Sequence, residues 1–108
     1  KNLYNYLKDL GYTCSYSSDK INREKIKDCL FNFNKRIPVI VSGVNSKTNV
    51  GHAWVVDGVR ILSDGYEFNN NWGWYGSSDG WVKGSVLGYV SQGRAYDSKM
   101  SAIYITNY

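Results

Sequence analysis

The sequence has few of the residues that build metal sites, disulfide frameworks and membrane spans. It contains one histidine and two cysteines among 108 residues, with no CxxC pair and no cluster of cysteine and histidine. One histidine does not make a usual zinc site, and two cysteines permit a disulfide without requiring it. No apolar run approaches the roughly 20 residues that span a bilayer, and no basic-then-apolar signal segment opens the chain. We therefore expect no metal, no cofactor and no membrane partner.

The sequence also lacks a basic stripe, although the net charge is +4 and the isoelectric point about 9.1. The densest basic group, residues 20–27, is interrupted by Glu24 and flanked by Asp19 and Asp28, as on a solvated helix face. A glycine-rich RNA-recognition signature is absent as well. These features argue against nucleic acid as a partner.

Aromatic side chains are abundant, with ten tyrosines, four tryptophans and three phenylalanines making up 16% of the chain. Such a composition suits a β-rich fold with half-buried faces, or a binding surface. Hydrophobic residues at 43% and charged residues at 20% are typical of a globular domain with a modest core. We interpret residues 1–108 as a single structural unit.

The first third of the chain predicts two amphipathic helices. Residues 2–10 carry apolar side chains at helical spacing. Residues 12–21 are polar and serine-rich, which predicts a loop. Asn22 is a favourable N-cap for the second helix, which is expected to end near Lys35 because Pro38 disfavours helical geometry just before it.

After Pro38 the residues that favour strands are grouped in short runs bounded by turns. The predicted strands are residues 37–43, 51–62, 66–72, 80–84 and 101–108. Residues 63–65 form the turn of an antiparallel hairpin between the second and third of these strands. Residues 73–80 are glycine-rich and predict a loop, while residues 85–99 are expected to be irregular. Two N-terminal helices followed by an antiparallel β-sheet make an α+β fold.

The side chain best suited to proton transfer is His52, which follows Gly51 at the start of the second predicted strand. In the predicted hairpin, Asn71 comes near the strand end that carries His52. The Asn71 amide is expected to accept a hydrogen bond from the ring and to orient it, with Trp72 covering that bond. Side chains on opposite faces of the sheet, or a ring packed into a closed apolar interior, would remove this case for His52 as a catalytic base. Taken singly, each of these residues is more simply explained by a structural role.

Two motifs in order carry a resemblance to a known family. Residues 51–58 read GHAWVVDG, and residues 69–81 read NNNWGWYGSSDGW. This pattern resembles the C-terminal catalytic region of the streptopain family of bacterial cysteine peptidases (peptidase family C10), which implies the β-rich half of a papain-like fold. The sequence KRIPVIVSG at 35–43 is similar as well. Tyr75 is a departure, because the family usually has glycine there.

The resemblance implies a role for each matching residue. His52 corresponds to the general base, Asn71 to the residue that orients its ring, and Trp72 to the aromatic side chain beside them. Trp74 and Gly51 correspond to residues of the substrate cleft. The implied function is proteolysis of a peptide or protein substrate by a thiol peptidase mechanism, in a secreted or periplasmic bacterial protein.

Such an enzyme also needs a nucleophilic cysteine, which papain-like chains carry about 130–150 residues before the histidine. Only 51 residues precede His52, and no cysteine follows it. Cys29 falls on the apolar face of the second predicted helix, and Cys14 opens no helix. We expect the nucleophile on a Cys-bearing N-terminal half, in the same gene or a separate chain, and no activity from this chain alone. A start at Lys1 rather than Met agrees with an excised piece.

Two other functions stay open. One is a catalytically inactive peptidase homologue, or a module whose aromatic loop, residues 68–81, binds peptide or glycan with His52 as a bystander. The other is an inhibitor or immunity-type partner of a peptidase. The combination of His, Asn and Trp favours the enzyme, because a pure binder needs none of them. Asp57 and Asp79 lie within the motifs and are interpreted as turn or loop residues.

Overall fold

A computed structural model describes residues 2–17, 21–31, 38–91 and 94–107. Within these ranges the chain forms two α-helices, α1 (Asn2–Asp9) and α2 (Arg23–Leu30), and one 3-10 turn (Gly84–Val86). The strands are β1 (Thr13–Ser17), β2 (Val39–Val44), β3 (Gly51–Leu62), β4 (Gly65–Asn71), β5 (Gly80–Lys83), β6 (Tyr89–Ser91), β7 (Arg94–Ala95) and β8 (Ser98–Asn107). Six of them form an antiparallel sheet in the order β1-β8-β2-β3-β4-β5, and β6 pairs with β7. The predicted α+β fold is confirmed.

Both predicted helices are present, and local capping explains their limits. The side chain of Asn22 accepts a hydrogen bond from the Lys25 N–H at 3.1 Å, as an N-cap does. After α1, Gly11 adopts φ +99°, a left-handed conformation that commonly ends a helix. Helix α2 ends at Leu30, and the predicted helix end near Lys35 lies outside the described residues. Neither described helix is long and apolar enough to cross a membrane.

Residues 13–17 form β1 rather than the predicted loop, and they pair antiparallel with β8. The sequence did not predict this strand, because its side chains that face α2 are polar. Ser15 accepts a hydrogen bond from the Lys25 ammonium at 3.1 Å, and the hydroxyls of Ser17 and Tyr104 lie 3.2 Å apart. Cys14 and Tyr16 do alternate with these polar residues, but the run is short and serine-rich, which is why a loop was predicted.

One face of the sheet packs against α2 and holds the core. Ile26 of α2 is fully buried. Its buried neighbours on the central strands are Val39, Val41, Trp54, Val56, Phe68, Ala102 and Tyr104. Because successive side chains of a strand point to opposite faces, His52 lies on the same face as Trp54 and Val56. The strand that carries His52 is thus anchored in the core two residues further on.

Candidate active site

His52 is the second residue of β3, after the exposed Gly51, and it pairs with Gly43 of β2. Its ring is half-buried, and Nε2 lies 2.9 Å from the backbone carbonyl oxygen of Trp72. A carbonyl oxygen only accepts hydrogen bonds, so Nε2 must carry the proton in this contact. In the neutral ring Nδ1 is then the unprotonated nitrogen. The backbone of the loop after β4 thereby selects the tautomer with a basic Nδ1.

The predicted hydrogen bond between His52 and Asn71 is wrong, since the two side chains lie on opposite faces of the sheet. Asn71 pairs with Val55, and residues opposite each other in a sheet share a face. The Asn71 amide oxygen accepts instead from the backbone N–H of Gly73 at 3.1 Å, and the side chain is exposed. The imidazole does have an acceptor, but the backbone one residue later supplies it. The Asn71 contact therefore gives no support to His52 as a catalytic base, and that case now depends on the backbone acceptor at Trp72 and on a ring that is half-buried rather than enclosed.

Asn70 is the buried asparagine of the motif. Its amide oxygen accepts from the indole N–H of Trp54 at 3.0 Å, and its amide nitrogen donates to the carbonyl of Leu87 at 2.9 Å. Both ends of the amide are satisfied in an interior where an unpaired polar group is costly. Asn70 holds Trp54 in place, and the Trp54 ring centroid lies 6.3 Å from that of His52. The sequence run NNN contained no signal to distinguish this residue from its neighbours.

Aromatic rings surround the His52 imidazole. The nearest is Trp74, with ring centroids 4.7 Å apart and planes inclined by 22°. Trp72 is buried, with its centroid 6.1 Å from the imidazole and 4.6 Å from Trp54. Trp72 and Trp74 were both identified from the sequence, and the fold brings both beside His52. Their apolar faces limit the access of water to the imidazole.

Tyr96 is a neighbour of the imidazole that the sequence did not predict, with a centroid separation of 5.5 Å from His52. It lies within residues 85–99, which were expected to be irregular and instead contain β6 and β7. Its N–H donates to the carbonyl of Gly88 at 2.8 Å. A Cβ atom at Gly43 or at Gly88 would lie closer than 3.0 Å to the Tyr96 backbone. These two glycines let the Tyr96 backbone lie against β2 and place its ring beside His52.

Asp79, at the end of the loop between β4 and β5, binds the start of the same loop. The Asp79 carboxylate accepts a hydrogen bond from the Trp72 N–H at 2.8 Å. Tyr75, at the position where the family usually has glycine, has φ +54° and is fully exposed. This left-handed conformation is the one that glycine adopts without strain, which accounts for the usual preference. Asp79 was interpreted as a plain loop residue, and its position within the second motif was the only sequence signal for it.

Neither cysteine is among the described residues that contact His52. Cys14 and Cys29 are free. Cys14 lies on the edge strand β1, which is separated from β3 by three strand-to-strand spacings, or about 14 Å. Cys29 packs half-buried against the core, and burial raises the pKa of its thiol. A raised pKa disfavours the thiolate that nucleophilic attack requires. In the part of the chain that the structure describes, no three His, Cys, Asp or Glu side chains are grouped as metal ligands.

Comparison with known proteins identifies the family of this chain. The family model described as the peptidase C10 family matches residues 1–82. Among solved structures, the active wild-type interpain A cysteine protease of Prevotella intermedia is similar, with a TM-score of 0.60 and 26% sequence identity. The match covers 83% of this chain and 37% of that chain. No sequence among the curated proteins matches. The resemblance to streptopain-type peptidases is confirmed, and the chain belongs to the peptidase C10 family.

Proposed function

We propose that this chain supplies the general base of a cysteine peptidase whose nucleophilic cysteine lies outside residues 1–108. The observation that carries the proposal is the 2.9 Å contact between His52 Nε2 and the Trp72 carbonyl, formed within the matched part of a peptidase family. This contact leaves Nδ1 as the basic nitrogen. The interpain A chain is much longer than the segment that matches, which accommodates a separate Cys-bearing half.

In the proposed reaction, the thiolate of that half attacks the scissile carbonyl carbon and forms a tetrahedral intermediate. His52, as imidazolium, donates its Nδ1 proton to the leaving amine, and the carbon–nitrogen bond breaks. Neutral His52 then takes a proton from water at Nδ1 as the water oxygen attacks the acyl–sulfur carbonyl, which releases the acid and the thiolate. Nε2 keeps its proton and its hydrogen bond to Trp72 in every step.

The substrate is a peptide or protein, and Trp74 forms a wall of its cleft. Trp74 lies directly against the imidazole, with the two ring centroids 4.7 Å apart. The guanidinium of Arg94 lies 5.1 Å from the Trp74 ring centroid, and this cation–π contact helps to hold the indole in place. Gly51 is exposed next to His52 and leaves space for substrate backbone. A secreted or periplasmic location is part of the same proposal.

The first test is the gene around this sequence. A cysteine that opens a helix about 130–150 residues before His52 is expected upstream or in a companion chain. With both parts combined, His52→Ala is expected to lower kcat/KM for a peptide substrate by about 10³-fold or more. Asp64→Asn, at the far turn of the β3–β4 hairpin, is the control and keeps the activity. Near-normal hydrolysis by the His52→Ala enzyme contradicts the proposal.

One observation favours a second candidate, a loop that binds peptide or glycan. Tyr75 is fully exposed at the tip of the aromatic loop, where no packing requires an aromatic side chain. In that case Tyr75→Ala abolishes ligand binding to the chain, and His52→Ala leaves binding intact. Loss of hydrolysis in His52→Ala with unchanged binding by Tyr75→Ala decides for the peptidase.

A further inference from the structure

We propose that Asp79 is a positioning residue for His52 and acts through the backbone of Trp72. The inference rests on the proposed function, because it assigns Asp79 to the same site. Asp79 was the loop residue of the second motif for which the sequence suggested no chemical role. In the described structure its hydrogen bond goes to the Trp72 N–H, at 2.8 Å, and none goes to the imidazole itself.

Two peptide groups meet at the Cα of Trp72, and a side chain fixes each of them. The group formed by the Trp72 carbonyl and the Gly73 N–H accepts from His52 Nε2 at 2.9 Å and donates to the Asn71 amide oxygen at 3.1 Å. The preceding group donates the Trp72 N–H to Asp79. With both groups fixed, the direction of the Trp72 carbonyl is fixed as well. The imidazole is therefore held by a chain of hydrogen bonds that begins at Asp79 and Asn71.

Asp79 is the stronger of the two anchors. A hydrogen bond to an ionised carboxylate is shorter and stronger than one to a neutral amide, and the distances of 2.8 and 3.1 Å follow that order. The Asn71 contact spans only two residues and stabilises a local turn. The Asp79 contact closes the whole loop from residue 72 to residue 79, so it fixes the start of the loop against its end.

The loop needs such an anchor because its backbone is unusual. Four of its residues have positive φ angles, namely Gly73, Tyr75, Gly76 and Ser78. Tyr75 and Ser78 are not glycine, so their left-handed conformations are maintained by the surroundings rather than by intrinsic preference. The described backbone contacts inside the loop are Ser77 N–H to Trp74 at 3.0 Å and Asp79 N–H to Gly76 at 3.3 Å. Neither of them reaches Trp72.

Because His52 is the only histidine, its ring nitrogens are observed without ambiguity in the full chain labelled with 15N-histidine. Nitrogen chemical shifts near pH 8.5 measure the ratio of the Nε2–H to the Nδ1–H tautomer. We expect Asp79→Ala to lower this ratio roughly fivefold, since the Trp72 carbonyl is no longer held in place. Asp79→Asn keeps an acceptor oxygen but loses the charge, so it is expected to lower the ratio by about twofold only. Asp64→Ala removes a carboxylate remote from the site and leaves the ratio unchanged.

Equal changes in Asp79→Ala and Asp79→Asn mean that the charge acts rather than the hydrogen bond, and they overturn the proposal. A wild-type ratio in Asp79→Ala overturns it too. If Asp79→Ala fails to fold, Asp79→Glu replaces it, because this variant keeps the charge and displaces the acceptor by one methylene. A lowered tautomer ratio in Asp79→Glu supports the proposal. A wild-type ratio in Asp79→Glu overturns it. None of these measurements uses hydrolysis, so failure here is distinguishable from failure of the peptidase proposal, which the His52→Ala assay tests.

Discussion

Three consecutive asparagines at the end of β4 have three different environments. Asn70 is buried with both ends of its amide hydrogen-bonded, whereas Asn71 is exposed and bonds the turn that follows it. Asn69 is half-buried, on the sheet face opposite to Asn70. Strand alternation separates Asn70 from the other two, because adjacent residues cannot share a face, and Asn71 is more exposed than Asn69 because it is the last residue of β4. The role of a residue in this site thus depends on which face of the sheet its side chain occupies, as well as on its residue type.

Asn70→Ala is expected to destabilise the fold by about 2–4 kcal/mol, because it leaves both the Trp54 indole N–H and the Leu87 carbonyl buried without a partner. The free energy of unfolding, measured with denaturant, checks this value. Asn69→Ala is the matched control, one residue away on the other face, and is expected to change stability by no more than about 0.5 kcal/mol. Equal losses in the two variants would show that the Asn70 hydrogen bonds contribute nothing specific.

Burial raises the pKa of Cys29, so at any pH below its titration less of the thiol is ionised than in a free cysteine. We expect iodoacetamide to alkylate Cys29 more slowly than N-acetylcysteine, with the rate rising at a higher pH. Peptide mapping by mass spectrometry separates Cys29 from Cys14. The rates at both sites are expected to be the same in His52→Ala. Fast alkylation of either cysteine that requires His52 would place the nucleophile inside this chain.

Among the elements, β2 and the residues just before β6 each contribute one glycine that packs against the backbone of Tyr96. Gly43 pairs with His52, and the Tyr96 backbone lies where a side chain at Gly43 would be. A side chain at Gly88 would collide with the same backbone, and the Gly88 carbonyl accepts a hydrogen bond from the Tyr96 N–H. A pair of glycines far apart in sequence thus determines where one tyrosine ring lies relative to the imidazole.

Gly43→Ala is expected to lower the free energy of unfolding by about 1–3 kcal/mol, because the new Cβ collides with backbone rather than with a flexible side chain. Gly51→Ala is the matched control on the partner strand, since its nearest neighbour would be 3.7 Å away. Thermal or denaturant unfolding of the two variants provides the comparison. If Gly51→Ala costs as much as Gly43→Ala, the close approach of Tyr96 is not what requires glycine at position 43.

The local elements were predictable because their signals are local. The N-cap at Asn22 and the β3–β4 hairpin are encoded by neighbouring residues, and both are present. The pairing register was not predictable, because the β-bulge between Val56 and Gly58 shifts it, and a shift of one residue moves a side chain to the other face. That shift explains why Asn71 was expected on the His52 face. Tyr96 reaches the site through long-range packing, which no sequence pattern reports.

At the scale of the whole molecule, the groups around the imidazole come from three separate parts of the chain. The acceptor for Nε2 and the surrounding rings come from β3, from the loop after β4 and from the segment after β7. The sheet and α2 form a core of their own around Trp54, Val56 and Ile26. The chain nevertheless matches only 37% of the interpain A chain. We therefore expect a preformed base site that becomes catalytic when a thiolate is brought to Nδ1.

The most direct test labels the nucleophile itself. The chain, combined with its Cys-bearing half, is treated with a peptidyl thiol-directed inhibitor, and the modified residue is mapped by mass spectrometry in the wild type and in His52→Ala. We predict one labelled cysteine outside residues 1–108, and labelling that slows by about 10²-fold or more without the imidazole. Label on Cys14 or Cys29, or a rate that does not depend on His52, would contradict the account.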